Sequence, residues 1–406
     1  MAKKTTTKKS TKKTAKKRRV KKGDAAVPPD QLLAPPPIPL TEIVGHAKPV
    51  SILARAVASG RLHHAWIFHG PRGVGKRTTA LAFAAALLDP TTEPDPAGLP
   101  RPDPASPVAG LLAAGAHPDL HLITKELARY SDDKRIRDAK LASIPKDVID
   151  TRLIQRIPLA PSVTVHGVAS RVFIVDEAEL LDRSPTNAPV QNALLKTLEE
   201  PPPGAVLILV TESEDRLLPT IRSRCQRVAF TPLSAQELDA WAERPGSLPE
   251  RWQTLEPGGR SFLLSFASGS PGLLLEAVSA ELDRWHRTIE PMLDRTLEGQ
   301  VPATFGKSLT DLVNTWAETR ASADKNRSKA AATARGAELA VRVIAASISG
   351  RLRHAVARGD RADAEHLAAS LNAINTARER QGSAVALAFV MEGLVADLAS
   401  RQATAG

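Results

Sequence analysis

Two short stretches of this chain carry residues at spacings that could do chemistry on a phosphate. The first is Gly70-Pro71-Arg72-Gly73-Val74-Gly75-Lys76, which satisfies G-x-x-x-x-G-K. Glycines let backbone N–H groups turn inward around phosphate oxygens, and a helix that starts behind them favours anionic charge. Lys76 would neutralise β- and γ-phosphate oxygens, so the ligand implied is ATP or ADP with Mg²⁺. The context fits: the apolar run "HAWIFH" leads in and the Ala-rich, helical "KRTTALAFAAALL" leads out. The next position departs from the pattern. A Ser or Thr hydroxyl should follow the lysine to hold Mg²⁺, and Arg77 stands there instead. Thr78 comes one residue late, about 100° further round the helix. Either Thr78 or a water replaces the missing ligand, or metal-dependent hydrolysis is impaired; impairment is the expectation.

The second stretch is Asp176-Glu177, directly after the apolar "VFIV". At a strand end Asp176 would hold a metal-bound water and Glu177 would polarise an attacking water. Two acids at a strand end say little alone. Roughly a hundred residues after a phosphate loop, and followed by the further apolar run "AVLILVT", they match its usual partner. Thr211 ends that run. It sits where a polar residue could sense the γ-phosphate, or it is an ordinary strand-end threonine.

The elements that must position these groups alternate. "LHLI" at 120–123, "RVFIV" and "AVLILVT" read as buried strands, and "IPKDVIDTRLIQRI" and "NALLKTLEEPPP" as helices, the second stopped by its prolines. Residues 90–107 are dense in proline and read as loop. The alternation predicts an α/β domain with a mainly parallel sheet over 40–232. Beyond it strand signals vanish: 233–280 reads as a small helical domain and 281–406 as helices. Ile344, Ile348 and Leu352 repeat by four, and Leu387, Met391, Leu394 and Leu398 by four, three and four, each set forming one apolar stripe that reads as bundle core.

Of 406 residues, 42% are hydrophobic, enough for real cores, and the net charge is +11. That charge is not spread out. Residues 1–22 hold ten Lys and two Arg with no acid, leaving 43 basic against 44 acidic residues in the rest. Residues 1–39, this tail and a proline-rich linker, are expected to be disordered. The tail reads as a solubility arm or as a nonspecific contact to DNA. Cys225 is the sole cysteine, which excludes an internal disulfide and any zinc site built on cysteines and fits a reducing cytoplasm. No zinc or other resident metal site is expected. Aromatics at 3% argue against a base-stacking surface. No run of some 18 apolar residues occurs and the lysine-rich start has no apolar stretch behind it, so neither membrane span nor signal peptide is expected.

"HAWIFHGPRGVGK", "VFIVDEAELLD", "NALLKTLEEPP", "LLPTIRSRCQRVAF" and "GSPG" follow one another in this order. In this the chain resembles the clamp-loader subunits of bacterial DNA polymerase III, members of the AAA+ family, over roughly residues 41–280. "GAHPDLHLI" is closer to the delta-prime branch than to gamma/tau. The resemblance implies a AAA+ P-loop domain, a helical lid and a helical collar that joins subunits in a ring. It makes Lys76 the phosphate lysine, Asp176 and Glu177 the second acidic motif, Thr211 the first sensor, and Arg224 an arginine finger directed at a neighbour's ATP. The partners implied are gamma/tau and delta subunits and, through them, the sliding clamp and primed DNA, in the cytoplasm near the nucleoid.

Departures from the family pattern sharpen this. The four zinc-binding cysteines that most relatives carry before "HPDL" are missing. The arginine that ATPase members carry in the lid motif is replaced, by this alignment, with Leu273. Together with Arg77, this points to a stator with weak or absent hydrolysis of its own rather than to a gamma/tau-like motor. A DNA-binding AAA+ regulator would need a helix-turn-helix or similar reader, and the last third of the sequence holds no such motif. The stretch "RSPTNAPVQ" after "ELLD" receives no role.

If the tail contacts DNA, deleting residues 1–27 will remove sequence-independent binding while leaving folding intact. The full chain will lose affinity with salt at a log–log slope of about −0.9 per phosphate contact. Unchanged low-salt affinity in the truncated chain would leave the solubility arm as the reading.

Overall fold

The computed structural model describes residues 36–138, 143–182, 188–322, 328–381 and 387–400; the basic tail lies outside them. The chain opens with α1 (Ala47–Ala58), β1 (Ala65–His69) and α2 (Lys76–Leu88). A small hairpin, β2 (Glu93–Pro94) and β3 (Pro100–Arg101), precedes α3 (Pro107–Ala113) and β4 (Leu120–Ile123). Two short helices, α4 (Lys134–Arg137) and α5 (Lys146–Ile149), lead to β5 (Arg171–Val175), α6 (Pro189–Glu199) and β6 (Ala205–Thr211). A single-turn α7 (Pro219–Arg222) and β7 (Gln226–Ala229) complete this half.

Five strands form one parallel sheet in the order β4-β5-β6-β1-β7. β5 and β6 are buried along their whole length, which is why both read as unbroken apolar runs. Alternate residues feed two cores. Trp66, Phe68, Val172, Ile174 and Ile208 pack with Leu53 and Phe83 of α1 and α2, while Ile67, Phe173, Val175, Leu207 and Leu209 pack with Leu194 and Leu198 of α6. The order places the carboxyl ends of β1 and β5 on either side of β6, so the loop after β1 and the acids after β5 face one crevice.

The stretch expected as plain loop is more ordered than its prolines suggest. The buried Asp89 carboxylate accepts from the Thr91 N–H and hydroxyl at 2.9 and 2.7 Å and from the Ser106 hydroxyl, tying the C-terminus of α2 to the N-cap of α3 across the β2–β3 hairpin. Asp119 does similar work further on, accepting from Ser162 and Val163 N–H at 2.8–3.0 Å. Asp182 reaches over 183–187, which lie outside the described residues, to accept from the Val190 and Gln191 N–H groups at the start of α6.

From Leu233 onward the structure is helical: α8 (Ala235–Ala242), α9 (Pro257–Ala267), α10 (Pro271–Ser279), α11 (Leu282–Leu297), α12 (Phe305–Ser322), α13 (Lys329–Arg358), α14 (Arg361–Gln381) and α15 (Leu387–Ser400). α8–α10 fall within residues 233–280 and α11–α15 within 281–406, termed lid and collar below for position alone. One apolar core nevertheless runs through both, from Leu233 to Leu398, and takes in the Ile344/Ile348 and Met391/Leu394/Leu398 stripes. Ion pairs reinforce the seam. Arg335 of α13 forks onto Glu276 of α10, and Arg251 meets the buried Asp283 of α11 at 2.6 Å. No helix among the described residues is long and apolar enough to cross a membrane.

Burial holds four histidines below their ordinary pKa: His46, His64 (helped by its neighbour His63), His117 and His286. Each gives up its proton more readily in the fold than in the unfolded chain, whose imidazoles titrate near pH 6.5, so their contribution is complete above about that pH and is lost as pH falls below it. The urea midpoint will therefore drop between roughly pH 7.5 and 5.5, and less steeply in His46→Gln. A flat or rising midpoint would contradict the assignment.

Candidate functional site

The site is built at the carboxyl end of β1. Gly70, Gly73 and Gly75 take φ of 143°, 74° and 111°, values that suit glycine and that turn the loop around its own N–H groups. Among the described residues, the N–H groups of Gly73, Val74, Gly75 and Lys76 have no protein acceptor, which leaves a nest suited to an anion. His46 supports the loop from below. Its buried Nε2 lies 2.7 Å from the Val74 carbonyl, to which only the Nε2–H tautomer can donate. Lys76 is buried, and its ammonium donates to the Gly70 and Pro71 carbonyls at 2.6 and 2.7 Å across the mouth of the nest. Burial pulls its pKa down, and Glu212, Glu179 and Asp176 pull the other way.

The two acids arrive at the end of β5, and each is met by a cation. Arg77, in the first turn of α2, places Nη1 3.1 Å from Asp176 Oδ2. Burial pushes the Asp176 carboxyl above its usual range, against the pull of Arg77. Glu177 sits in the left-handed region at φ 53°, and Lys125, just past β4, lies 2.7 Å from its Oε2. Thr211 is fully buried at the end of β6, in register with His69. Its hydroxyl donates to the Ser213 carbonyl and accepts from the Ser213 N–H, both at 3.1 Å. Thr78 is exposed and lines the cleft, while Thr79 is turned to the Gly75 carbonyl.

The lid closes directly on the loop. Ser270 Oγ donates to the Arg72 carbonyl at 2.9 Å, and the Gly272 N–H donates to the Gly73 carbonyl at 2.8 Å. A Cβ on Gly272 would come within 2.8 Å of Gly73 Cα, so two glycines make the contact. This corrects the lid alignment. The residue that abuts the loop is Gly272, whereas Leu273 is buried in the lid core. No side chain larger than hydrogen fits at 272 in this closed arrangement. A cleft of about 970 Å³ remains, lined by the apolar Ile43, Val44 and Trp241 and by Lys76, Arg77, Asp176 and Glu177.

Arg224 is not part of this cleft. It follows α7, half exposed, with Nη1 donating to the Thr220 carbonyl at 3.0 Å and Nη2 2.9 Å from Glu199 Oε1. Beside it, burial pushes the Cys225 thiol up to about 12, so that cysteine is an inert packing group. Among the described residues no group of three or more His, Cys, Asp or Glu is placed to hold a metal ion. Sequence reasoning missed Lys125, His46 and Gly272. The first two lie far from their partners in sequence, and a lone glycine in a lid carries no signal of what it will touch.

A family model described as "DNA polymerase III, delta subunit" matches residues 45–234. The delta-prime subunit of Pseudomonas aeruginosa DNA polymerase III is 35% identical over 210 residues, 51% of this chain and 53% of that protein. The gamma/tau subunit of Mycobacterium tuberculosis is 32% identical over 212 residues, 51% of this chain and 31% of that one. Over this stretch the chain is similar to clamp-loader subunits of DNA polymerase III. A solved gamma-subunit-related protein from Thermotoga maritima is 16% identical, covers 87% of this chain and 99% of its own, and gives a TM-score of 0.43. The chain spans about half the length of the delta-prime relatives it matches. The matched residues hold the sheet, the loop and the acids, and they end where the helical half begins.

Gly272→Ala tests the closed lid sterically. Its methyl cannot share the space of Gly73, so the variant will lose about 1–3 kcal/mol in urea titrations. Gly110→Ala, with nothing within 4 Å of its added methyl, will be neutral or slightly stabilising. Equal stability of the two variants would contradict the contact.

Proposed function

We propose that this protein is a non-hydrolysing, delta-prime-like stator of a bacterial clamp loader. In this reading it helps place a sliding clamp on primed DNA alongside gamma/tau and delta subunits. One observation carries the reading: at an otherwise well-formed phosphate loop, both acids needed for metal binding and water attack are neutralised by cations of the same chain, Asp176 by Arg77 and Glu177 by Lys125. A base paired with an ammonium is poorly placed to accept a proton from water. Thr211, with its hydroxyl committed to Ser213, adds no free donor for a γ-phosphate. The intact Lys76 and its loop favour the rival motor reading, and the two ion pairs weigh against it.

In the same proposal Arg224 serves a neighbouring subunit's ATP. It stands outside the chain's own cleft and is half exposed, and its guanidinium is held by Glu199 and one carbonyl that it would exchange for phosphate oxygens. A guanidinium suits that task because it stays charged and offers paired donors.

The pure protein will hydrolyse ATP far more slowly than about 1 s⁻¹ with magnesium present, and turnover at that rate would make it a motor. Mixed with candidate gamma/tau and delta subunits it will enter a complex of defined mass. Arg224→Ala will assemble normally but lower clamp- and DNA-stimulated hydrolysis at one site of the ring, where such a finger contributes roughly 10³- to 10⁵-fold. Arg224→Lys will rescue poorly. Full ATPase and loading rates in the assembled alanine variant would rule out the trans-acting role.

A further inference from the structure

A phosphate loop ordinarily works with Mg²⁺ held between the hydroxyl that follows the lysine and the strand-end aspartate. The residues here do not fit that metal. The position after Lys76 carries a guanidinium, and it reaches across to the very carboxylate that would face the ion, Arg77 Nη1 to Asp176 Oδ2 at 3.1 Å. Thr79, the hydroxyl on the buried side of the helix, is turned to the Gly75 carbonyl at 3.0 Å. Every other part of an anion site remains. The N–H groups of Gly73 to Lys76 are without acceptors among the described residues, Lys76 lies at the mouth, and the cleft has room and apolar lining residues for a base.

The carboxylates around the cleft do not leave it strongly negative. Asp176 is paired with Arg77, Glu177 with Lys125, and Glu212 faces Arg72 at 3.9 Å, while Glu179 accepts from the Glu212 N–H at 3.2 Å. What faces an incoming phosphate is therefore the nest, Lys76, and the outer edge of a guanidinium that is half exposed. A guanidinium brings one positive charge where the metal would bring two, so attraction for a polyphosphate is weaker but not abolished.

We propose that the cleft binds a nucleoside di- or triphosphate free of metal, with the Arg77 guanidinium standing in the place of Mg²⁺. The inference rests on reading this cleft as the nucleotide site of a clamp-loader module. It makes nucleotide a structural filler whose binding is indifferent to magnesium.

The test is titration of the full chain with ADP, by calorimetry, once in excess EDTA and once in excess Mg²⁺. The wild type will bind in EDTA, with affinity that changes by no more than about threefold when Mg²⁺ is added. Arg77→Ser restores the hydroxyl and frees Asp176, and it will bind at least about tenfold more tightly with Mg²⁺ than without. Arg77→Lys keeps a cation beside Asp176 and will stay indifferent; thermal melts of both variants establish that they fold. Wild-type binding that requires Mg²⁺, or an Arg77→Ser variant as indifferent as the wild type, would overturn the inference. Absence of ADP binding by the wild type in both buffers would overturn it too, while leaving the stator reading intact. Mg²⁺-dependent binding accompanied by turnover would overturn both.

Discussion

The contact on which the most depends is that between two glycines. Gly272, at the start of a lid helix, lies against Gly73, at the tip of the phosphate loop, and its N–H is given to the Gly73 carbonyl. Any side chain at either position would force the halves apart, since a Cβ on Gly73 would come within 2.6 Å of Ser270 Oγ. In a nucleotide-driven module the lid closes because a triphosphate bridges it to the loop, and closing is then worth only the difference in affinity between open and closed states. Here the bridge is made by backbone and a serine hydroxyl of the chain itself. These contacts join lid and loop directly, within the chain.

The lid passes that fixity to the collar. Its core is continuous with the core of the five helices beyond it, and the Arg335–Glu276 and Arg251–Asp283 pairs cross the same seam in largely buried surroundings. Removing one partner from such a pair typically costs about 3–5 kcal/mol, because the other charge is left buried and alone. Loop, lid and collar are thus one mechanical unit. The electrostatics of the cleft follow the same logic: Arg77 and Lys125 satisfy from within the acids that a motor leaves for metal and water.

Much of this was legible in the sequence, and the gaps have physical causes. The loop, the Asp176-Glu177 pair and strands β1, β4, β5 and β6 announce themselves because glycine spacing and unbroken apolar runs are local signals. β7 was missed because it is an edge strand in which only Val228 is buried, so its pattern is polar. The β2–β3 hairpin hides among prolines, its turn closed by Asp95, whose carboxylate accepts from the Ala97 and Leu99 N–H groups. Arg77 was visible as an absence, the missing hydroxyl, but its partner was not. Asp176 is ninety-nine residues away, and only the strand order brings the two together. The lid alignment placed the lost arginine at Leu273 because the motif is short, and only the packing shows that Gly272 faces the loop.

The claim that the lid is closed by the chain's own contacts is tested most directly by hydrogen exchange at the Gly272 amide in nucleotide-free protein. The N–H donates to Gly73 at 2.8 Å, so it should exchange as slowly as amides of the lid core, and adding ATP with magnesium should leave its rate unchanged. Exchange near the rate of an exposed loop, slowing only when the magnesium nucleotide is added, would mean that the lid is closed by ligand and that the chain works as a motor.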